Sequence, residues 1–233
     1  MFYTVKLKKP TFFLLLLTAA ILCSVLKSGE NKTLPVLRQM PDTCLVIDPG
    51  HGGIDGGAVG INGMKESLIN LDIALKLQNI ASLYGEKTLM TRVNDAVEVD
   101  AASYSEREEL IRRTDLINST ENAVLISIHQ NCYPTSQPSG AQVLYSASDG
   151  SEKLGRIMHD SIIKNLEPSN RRVAEPASEK LYITSHVSCP AVLVECGFMS
   201  NFSDLEKLSN DAYQTQLSAV MFASYRQFIN LEY

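Results

Sequence analysis

Residues 44–57 read CLVIDPGHGGIDGG. The stretch opens with an apolar run, Cys44 to Ile47, of the length and composition of a short buried strand. Its character then changes within one residue. Asp48 and Pro49 follow, and Gly50, Gly52, Gly53, Gly56 and Gly57 surround His51. So many glycines after a strand make a tight loop whose backbone lies close to something else. A phosphate cradle would end in Gly-Lys-Ser/Thr, which this stretch lacks. A loop that presents one imidazole to a metal ion fits the residues better.

Outward from this stretch, runs of strand length alternate with helical patterns. Glu66 to Tyr84 predicts a helix, with Ile69, Ile73, Leu77, Ile80 and Tyr84 on one stripe and Gly85 as its stop. Lys87 to Thr91 predicts a strand and Ser105 to Asn118 a charged helix. Ala123 to Ile128 and Ala141 to Ser146 predict two more strands. Gly150 to Leu166 predicts a helix ended by Pro168, Ala191 to Val194 a strand, and Asp211 to Phe228 the last helix. This alternation indicates a single α/β domain, a largely parallel sheet with helices on both faces. In such sheets functional groups gather at the carboxyl ends of the strands. Asp48 and His51, Ser127 and His129, and Glu195 all fall at such ends.

The N-terminus reads differently. Met1 to Pro10 carries Lys6, Lys8 and Lys9 and no acid, and an apolar run follows from Phe12 to Leu26. Residues 1–27 are therefore expected to be a signal peptide or N-terminal membrane anchor, shorter than the roughly 20 residues that span a bilayer comfortably. Polar residues 28–42 read as a linker, and residues 43–233 as the globular domain of an exported protein. The chain is 45% hydrophobic, enough for a proper core, with a net charge of −5. No basic run follows the leader, so the sequence offers no footprint for nucleic acid. Of the five cysteines, Cys23 lies in the leader; Cys44, Cys132, Cys189 and Cys196 show no CxxC or CxxH spacing and read as buried free thiols or unassigned pairs.

Three residues carry the chemistry together that none carries alone. Glu66 by itself is an acid in the first turn of a helix, favoured there by the helix dipole. His129, after Ser127 and Ile128, by itself reads equally well as a hydrogen-bonded core histidine. With His51 they form a His₂Glu set, a standard arrangement for catalytic zinc that leaves one position to water. A further carboxylate is then needed as general base. Glu195, directly after Val192, Leu193 and Val194, fits that role; its ordinary alternative is a structural carboxylate held by backbone amides.

These segments resemble the zinc-dependent N-acetylmuramoyl-L-alanine amidases of the family called Amidase_3. The matching stretches are Val46 to Gly53, Glu66, Thr91-Arg92 with Asp95, Ser127-Ile128-His129 with Asn131, and Pro190 to Glu195 with Gly197-Phe198 and Ser200-Asn201. The resemblance implies a mixed, mostly parallel sheet and one Zn2+ per chain on His51, Glu66 and His129. It implies Glu195 as catalytic acid/base and hydrolysis of the amide between N-acetylmuramic acid and L-alanine in peptidoglycan. Asn131 and Arg92 stand as substrate-binding candidates; Arg107 and Arg113 are further cations that an acidic stem peptide could meet, against the ordinary reading of solvated helix faces.

Some residues depart from the family pattern. Gln130 replaces a small residue and Asn131-Cys132-Tyr133-Pro134 a small-residue run, beside the expected metal. Thr184-Ser185-His186 replaces a leucine-arginine pair; His186 reads as a surface or groove residue and His159 as structural. The short chain, its leader and the lack of wall-binding repeats resemble the germination-specific branch of the family. That branch acts on spore cortex and takes part in forming muramic-δ-lactam. The implied partners are the glycan strand with its stem peptide, the membrane through the N-terminal segment, and an activating protein. The implied location faces the wall, or the forespore intermembrane space for a cortex enzyme. The alternatives are a vegetative autolysin, a zinc peptidase or deacetylase, and a non-catalytic peptidoglycan-binding family member.

Overall fold

In the computed structural model, which describes residues 42–96 and 104–232, the opening stretch forms β1 (Cys44–Pro49). The expected leader and nearly all of the linker lie outside the described residues. After β1 come α1 (Glu66–Leu83), β2 (Lys87–Met90), α2 (Glu106–Asn118) and β3 (Ala123–Asn131). Then follow β4 (Gln142–Tyr145), α3 (Ser151–Asn165), the two-residue β5 (Glu175–Pro176) and the short α4 (Tyr182–His186). The chain closes with β6 (Ala191–Phe198), α5 (Phe202–Leu208) and α6 (Asp211–Glu232).

The six strands form one sheet in the order β2-β1-β3-β6-β4-β5. β2, β1, β3 and β6 run parallel, while β4 pairs antiparallel with β6 and parallel with β5. The sheet is thus mixed and mostly parallel, as the sequence implied. Among the described residues no helix is long and apolar enough to cross a membrane.

Strand alternation divides the interior in two. Leu45 and Ile47, Val124, Ile126 and Ile128, and Val192, Val194 and Cys196 face a large core shared with α1, α3, α5 and α6. Their neighbours Cys44 and Val46, Ala123 and Leu125, and Ala191 face a small core closed by Ile117 of α2 and Ile183 of α4. Continuing the same alternation, Asp48, Ser127, His129 and Glu195 extend from the small-core side at the carboxyl ends of their strands. The site sits on the thinly covered face because the apolar residues of that face run out before the strands do.

Three strands are longer than expected, the first being β1, which runs on to Pro49. β3 runs to Asn131 and β6 to Phe198, so His129 and Glu195 lie within strands, directly paired across the sheet. The sequence pattern broke at the first polar residue, yet the ladder continues because these polar side chains find partners or a cavity at the sheet edge. α5 and α4 were not foreseen. α5 starts where Asn201 accepts from Asp204 N at 3.1 Å, an ordinary N-cap.

Candidate metal centre and active site

His51 sits in the glycine loop after β1 with φ of 59°, a left-handed conformation costly for a residue with a Cβ. Several bonds hold it there. Arg113 Nη2 donates to His51 O at 2.7 Å, and His51 Nδ1 lies 2.6 Å from Asp55 Oδ2. The carboxylate places the ring proton on Nδ1 and turns Nε2 inward, 3.4 Å from Glu66 Oε1. His129 reaches the same oxygen from β3, Nδ1 to Oε1 at 3.2 Å. Glu66 is only 3% exposed and also accepts from Ala58 N at 2.9 Å and Gln130 N at 3.0 Å. An acid in the first helical turn normally faces water; this one is turned into the protein.

One donor atom from each of His51, Glu66 and His129 lies within 4.8 Å of the others. A tetrahedral zinc with ligand bonds of about 2.0–2.2 Å sets neighbouring donor atoms roughly 3.4 Å apart. The observed spacings of 3.2 and 3.4 Å fit such an ion. The loop glycines make the approach sterically possible. A Cβ on Gly50 would stand 2.2 Å from the His129 ring, and one on Gly57 would stand 2.7 Å from Glu66 Oε2 and His51 Cδ2.

The electrostatics match. Burial alone would lower the His51 pKa, but Glu66 and then Asp55 outweigh it and bring it to about 9. Burial would raise Glu66, yet the two imidazoles hold it well below the ordinary carboxylate range. Glu195 behaves in the opposite way. Burial pushes its carboxyl up, with Glu66 adding to that and the two histidines opposing it. Its Oε2 is buried and has no hydrogen-bond partner among the described residues, which is not the setting of a carboxylate caged by backbone amides. His51, Glu66, His129 and Glu195 line one cavity of about 380 Å³, with Asn131, Cys132, Tyr104, Lys180 and Tyr182 among its other walls.

A family model described as N-acetylmuramoyl-L-alanine amidase matches residues 45–224. The chain belongs to this family. It is an amidase that acts on peptidoglycan, and its fold is that of solved relatives. The germination-specific N-acetylmuramoyl-L-alanine amidase of Bacillus subtilis (strain 168) is 31% identical over 222 residues, covering 93% of this chain and 92% of its own length. The N-acetylmuramoyl-L-alanine amidase LytC of the same organism is 32% identical over 173 residues, 73% of this chain but 32% of its own length. The CwlD amidase from Clostridioides difficile, solved in complex with the GerS lipoprotein, superposes with a TM-score of 0.76 at 26% identity. The match covers 81% of this chain and 99% of that one.

In this amidase the other residues singled out from the sequence fall into distinct places. Asn131 lines the cavity. Arg92 does not; its guanidinium donates to the carbonyls of Pro49 (2.9 Å), Gly50 (3.0 Å), Ser67 (2.8 Å) and Asn94 (3.2 Å). Burial, and then Arg113, lower its pKa to about 10. It clamps the glycine loop from behind. Arg113 is also buried, bonded to Asp48 Oδ1 at 3.2 Å and Pro49 O at 3.0 Å. Asp48 in turn accepts from Thr91 Oγ1 at 2.6 Å and Ser127 Oγ at 2.7 Å. Burial would raise the Asp48 carboxyl, but Arg113 and these hydroxyls keep it below its ordinary value. Arg107 is exposed on α2. His186 is an exposed residue stacked on Tyr182 at 4.0 Å, and His159 is buried with Nε2 2.8 Å from Arg172 O. Cys44, Cys132, Cys189 and Cys196 are free thiols.

Sequence reasoning passed over Asp55 and Asn70. A carboxylate four residues after a candidate ligand histidine was the available signal for Asp55, since such imidazoles use their second nitrogen on a carboxylate or carbonyl. Asn70 could have been noticed as a polar residue between Ile69 and Leu71, at helical spacing from the apolar Ile73 and Leu77. Gln130 also surprises. Its side chain turns to the large-core face, away from His129, where its Nε2 donates to Asn70 Oδ1 at 3.1 Å.

Proposed function

We propose that this chain is a zinc-dependent amidase that cuts the bond between N-acetylmuramic acid and L-alanine in spore-cortex peptidoglycan, outside the cytoplasmic membrane. The observation that carries the zinc part is the meeting of His51, Glu66 and His129 around one cavity, with the unpartnered Glu195 carboxyl on the adjacent strand. The cortex part is supported by similarity to the germination-specific relative over 93% of this chain and 92% of that one. An activating protein partner is part of the same reading, supported by the structure of a similar amidase bound to a lipoprotein. In this reading residues 1–27 export or anchor the chain and residues 43–233 are catalytic.

His51, Glu66 and His129 would hold the ion. Zinc, when bound, supplies a Lewis acid that polarises the amide carbonyl and lowers the pKa of water. Glu195 takes the proton of the attacking water on its free Oε2 and gives it to the leaving L-alanine nitrogen. Burial raises its pKa, which makes it a stronger base for the proton that it later returns. Asp55 keeps the His51 proton on Nδ1, so that Nε2 remains a donor atom for metal. Asn131 meets the substrate from the end of β3. Arg113 is paired inside the protein, which leaves Lys180 as the cavity-lining cation with no ion pair among the described residues, placed to meet an acidic stem peptide.

The test uses the full chain, its metal content and mass spectrometry of digested muropeptides. Zinc near one per chain, with peptides bearing a free L-alanine amino end and peptide-free glycan, is the expected result. Released acetate or cleavage inside the stem peptide would sink the amidase chemistry proposed for this site. For the cortex role, spores lacking the protein should lack muramic-δ-lactam and fail to complete germination; normal cortex in such spores would return the chain to a vegetative role.

A further inference from the structure

We propose that Gln130 and Asn70 form a positioning relay that presets the metal ligands of this amidase from behind the sheet. The inference rests on the zinc reading given above.

Asn70 is fully buried on α1, one turn after Glu66. Its Nδ2 donates to Gly50 O at 3.0 Å and to Glu66 Oε1 at 3.3 Å. Its Oδ1 accepts from Gln130 Nε2 at 3.1 Å. Gln130 is 3% exposed, and its backbone N–H also donates to Glu66 Oε1. The Cys196 thiol lies against the Gln130 amide. The relay thus touches Glu66 itself and the immediate neighbours of His51, His129 and Glu195.

The direction of each amide is set by this network. Gly50 O and Glu66 Oε1 only accept, so Asn70 must turn its nitrogen to them. The Gln130 donor makes that orientation definite by filling Oδ1. Turned the other way, Asn70 would set oxygen against oxygen at both contacts. Gln130 supplies this donor at a cost, because its own Oε1 is buried without a hydrogen-bond partner among the described residues. An apolar side chain would fill the same space without that cost. What the Gln130 amide supplies against that cost is its hydrogen bond to Asn70. Partners one step behind metal ligands fix ligand orientation and commonly contribute 10- to 100-fold in metal affinity.

The experiment titrates zinc into the metal-free full chain against a competing chelator, with the thermal midpoint of the metal-free chain measured in parallel. Gln130→Met keeps the volume and removes the donor. It should weaken zinc binding about 10- to 100-fold while the metal-free midpoint stays within a few degrees. Asn70→Ala should weaken binding at least as much, and the double variant should bind no worse than Asn70→Ala, because both act through one contact. If Gln130→Met does not fold, Gln130→Ser reads the same quantity. An affinity within twofold of the original chain in the Gln130 variants, or fully additive losses in the double variant, would overturn the relay while leaving the zinc reading intact. A chain that binds no zinc before any substitution overturns both.

Discussion

The two faces of the sheet are built from the same strands and do different work. One face meets α1, α3, α5 and α6 over a broad apolar core; the other meets α2 and α4 over a handful of residues and then turns polar. Alternation gives each strand a claim on both faces, so a single run such as Val124 to His129 holds the core together with Val124, Ile126 and Ile128 and prepares the site with Ser127 and His129. The comparison teaches that stability and chemistry are separable here by residue parity. Substitution of an apolar residue on the thick face should move the unfolding transition, and substitution on the thin face should move metal and turnover; Gln130 and Asn70, polar groups behind the ligands, are the exception on the thick side.

The strongest way to break this separation is His51→Ala. Metal content should fall from about one zinc per chain to near zero, and activity should become undetectable, with the fold retained by circular dichroism. A normally metallated variant would show that the ligand set is wrong. Glu195→Gln should next lower kcat about 10²- to 10⁴-fold while zinc content is unchanged, the size expected for removal of a general acid/base. Retained hydrolysis would free Glu195 from that role. On the other face, Leu154→Ala in α3 removes a fully buried side chain and should cost about 2–5 kcal/mol of stability. Calorimetry should show a midpoint lower by roughly 5–15 °C with kcat per folded molecule unchanged.

A pH titration sharpens the comparison further. The folded His51 pKa of about 9 lies above its ordinary value, so in the metal-free chain its contribution to stability is full below about pH 6.5 and is lost as pH rises through 9. Zinc must displace that proton, so apparent zinc affinity should climb by up to about tenfold per pH unit over the same window. A flat affinity between pH 6.5 and 9 would mean that His51 is not a ligand. The smallest effect is expected at the rim. Lys180→Met should raise KM for acidic stem peptides about three- to tenfold, leave kcat alone, and matter less as salt increases.

Much of this arrangement was legible in the sequence because its signals are local. The four-residue apolar start of β1, the stripe of α1 and the glycines around His51 each carry their own physical reason. His51, Glu66, His129 and Glu195 could be placed in one site because each sits at a strand or helix end that the α/β architecture gathers on one edge. What stayed hidden depended on partners far along the chain. Arg92 reads as a groove cation until the carbonyls of Pro49, Gly50 and Ser67 are seen to take its donors. Gln130 sits next to His129 in sequence yet on the opposite face, which only the length of β3 decides. The end of β6 was missed for the same reason, since a glutamate and a glycine inside a strand break the apolar pattern while the ladder runs on.

One pairing sets a limit on how such an enzyme can be controlled. His129 and Glu195 face each other across adjacent parallel strands in the middle of the sheet, each strand bonded on both sides. The sheet's own spacing is therefore the ruler between one ligand and the proton carrier. No effector can slide one past the other without unzipping the ladder. His51 and Glu66 have no such constraint, because a glycine loop and a helix start carry them. Any external control has its foothold there, by tightening or loosening half of a grip whose other half is fixed.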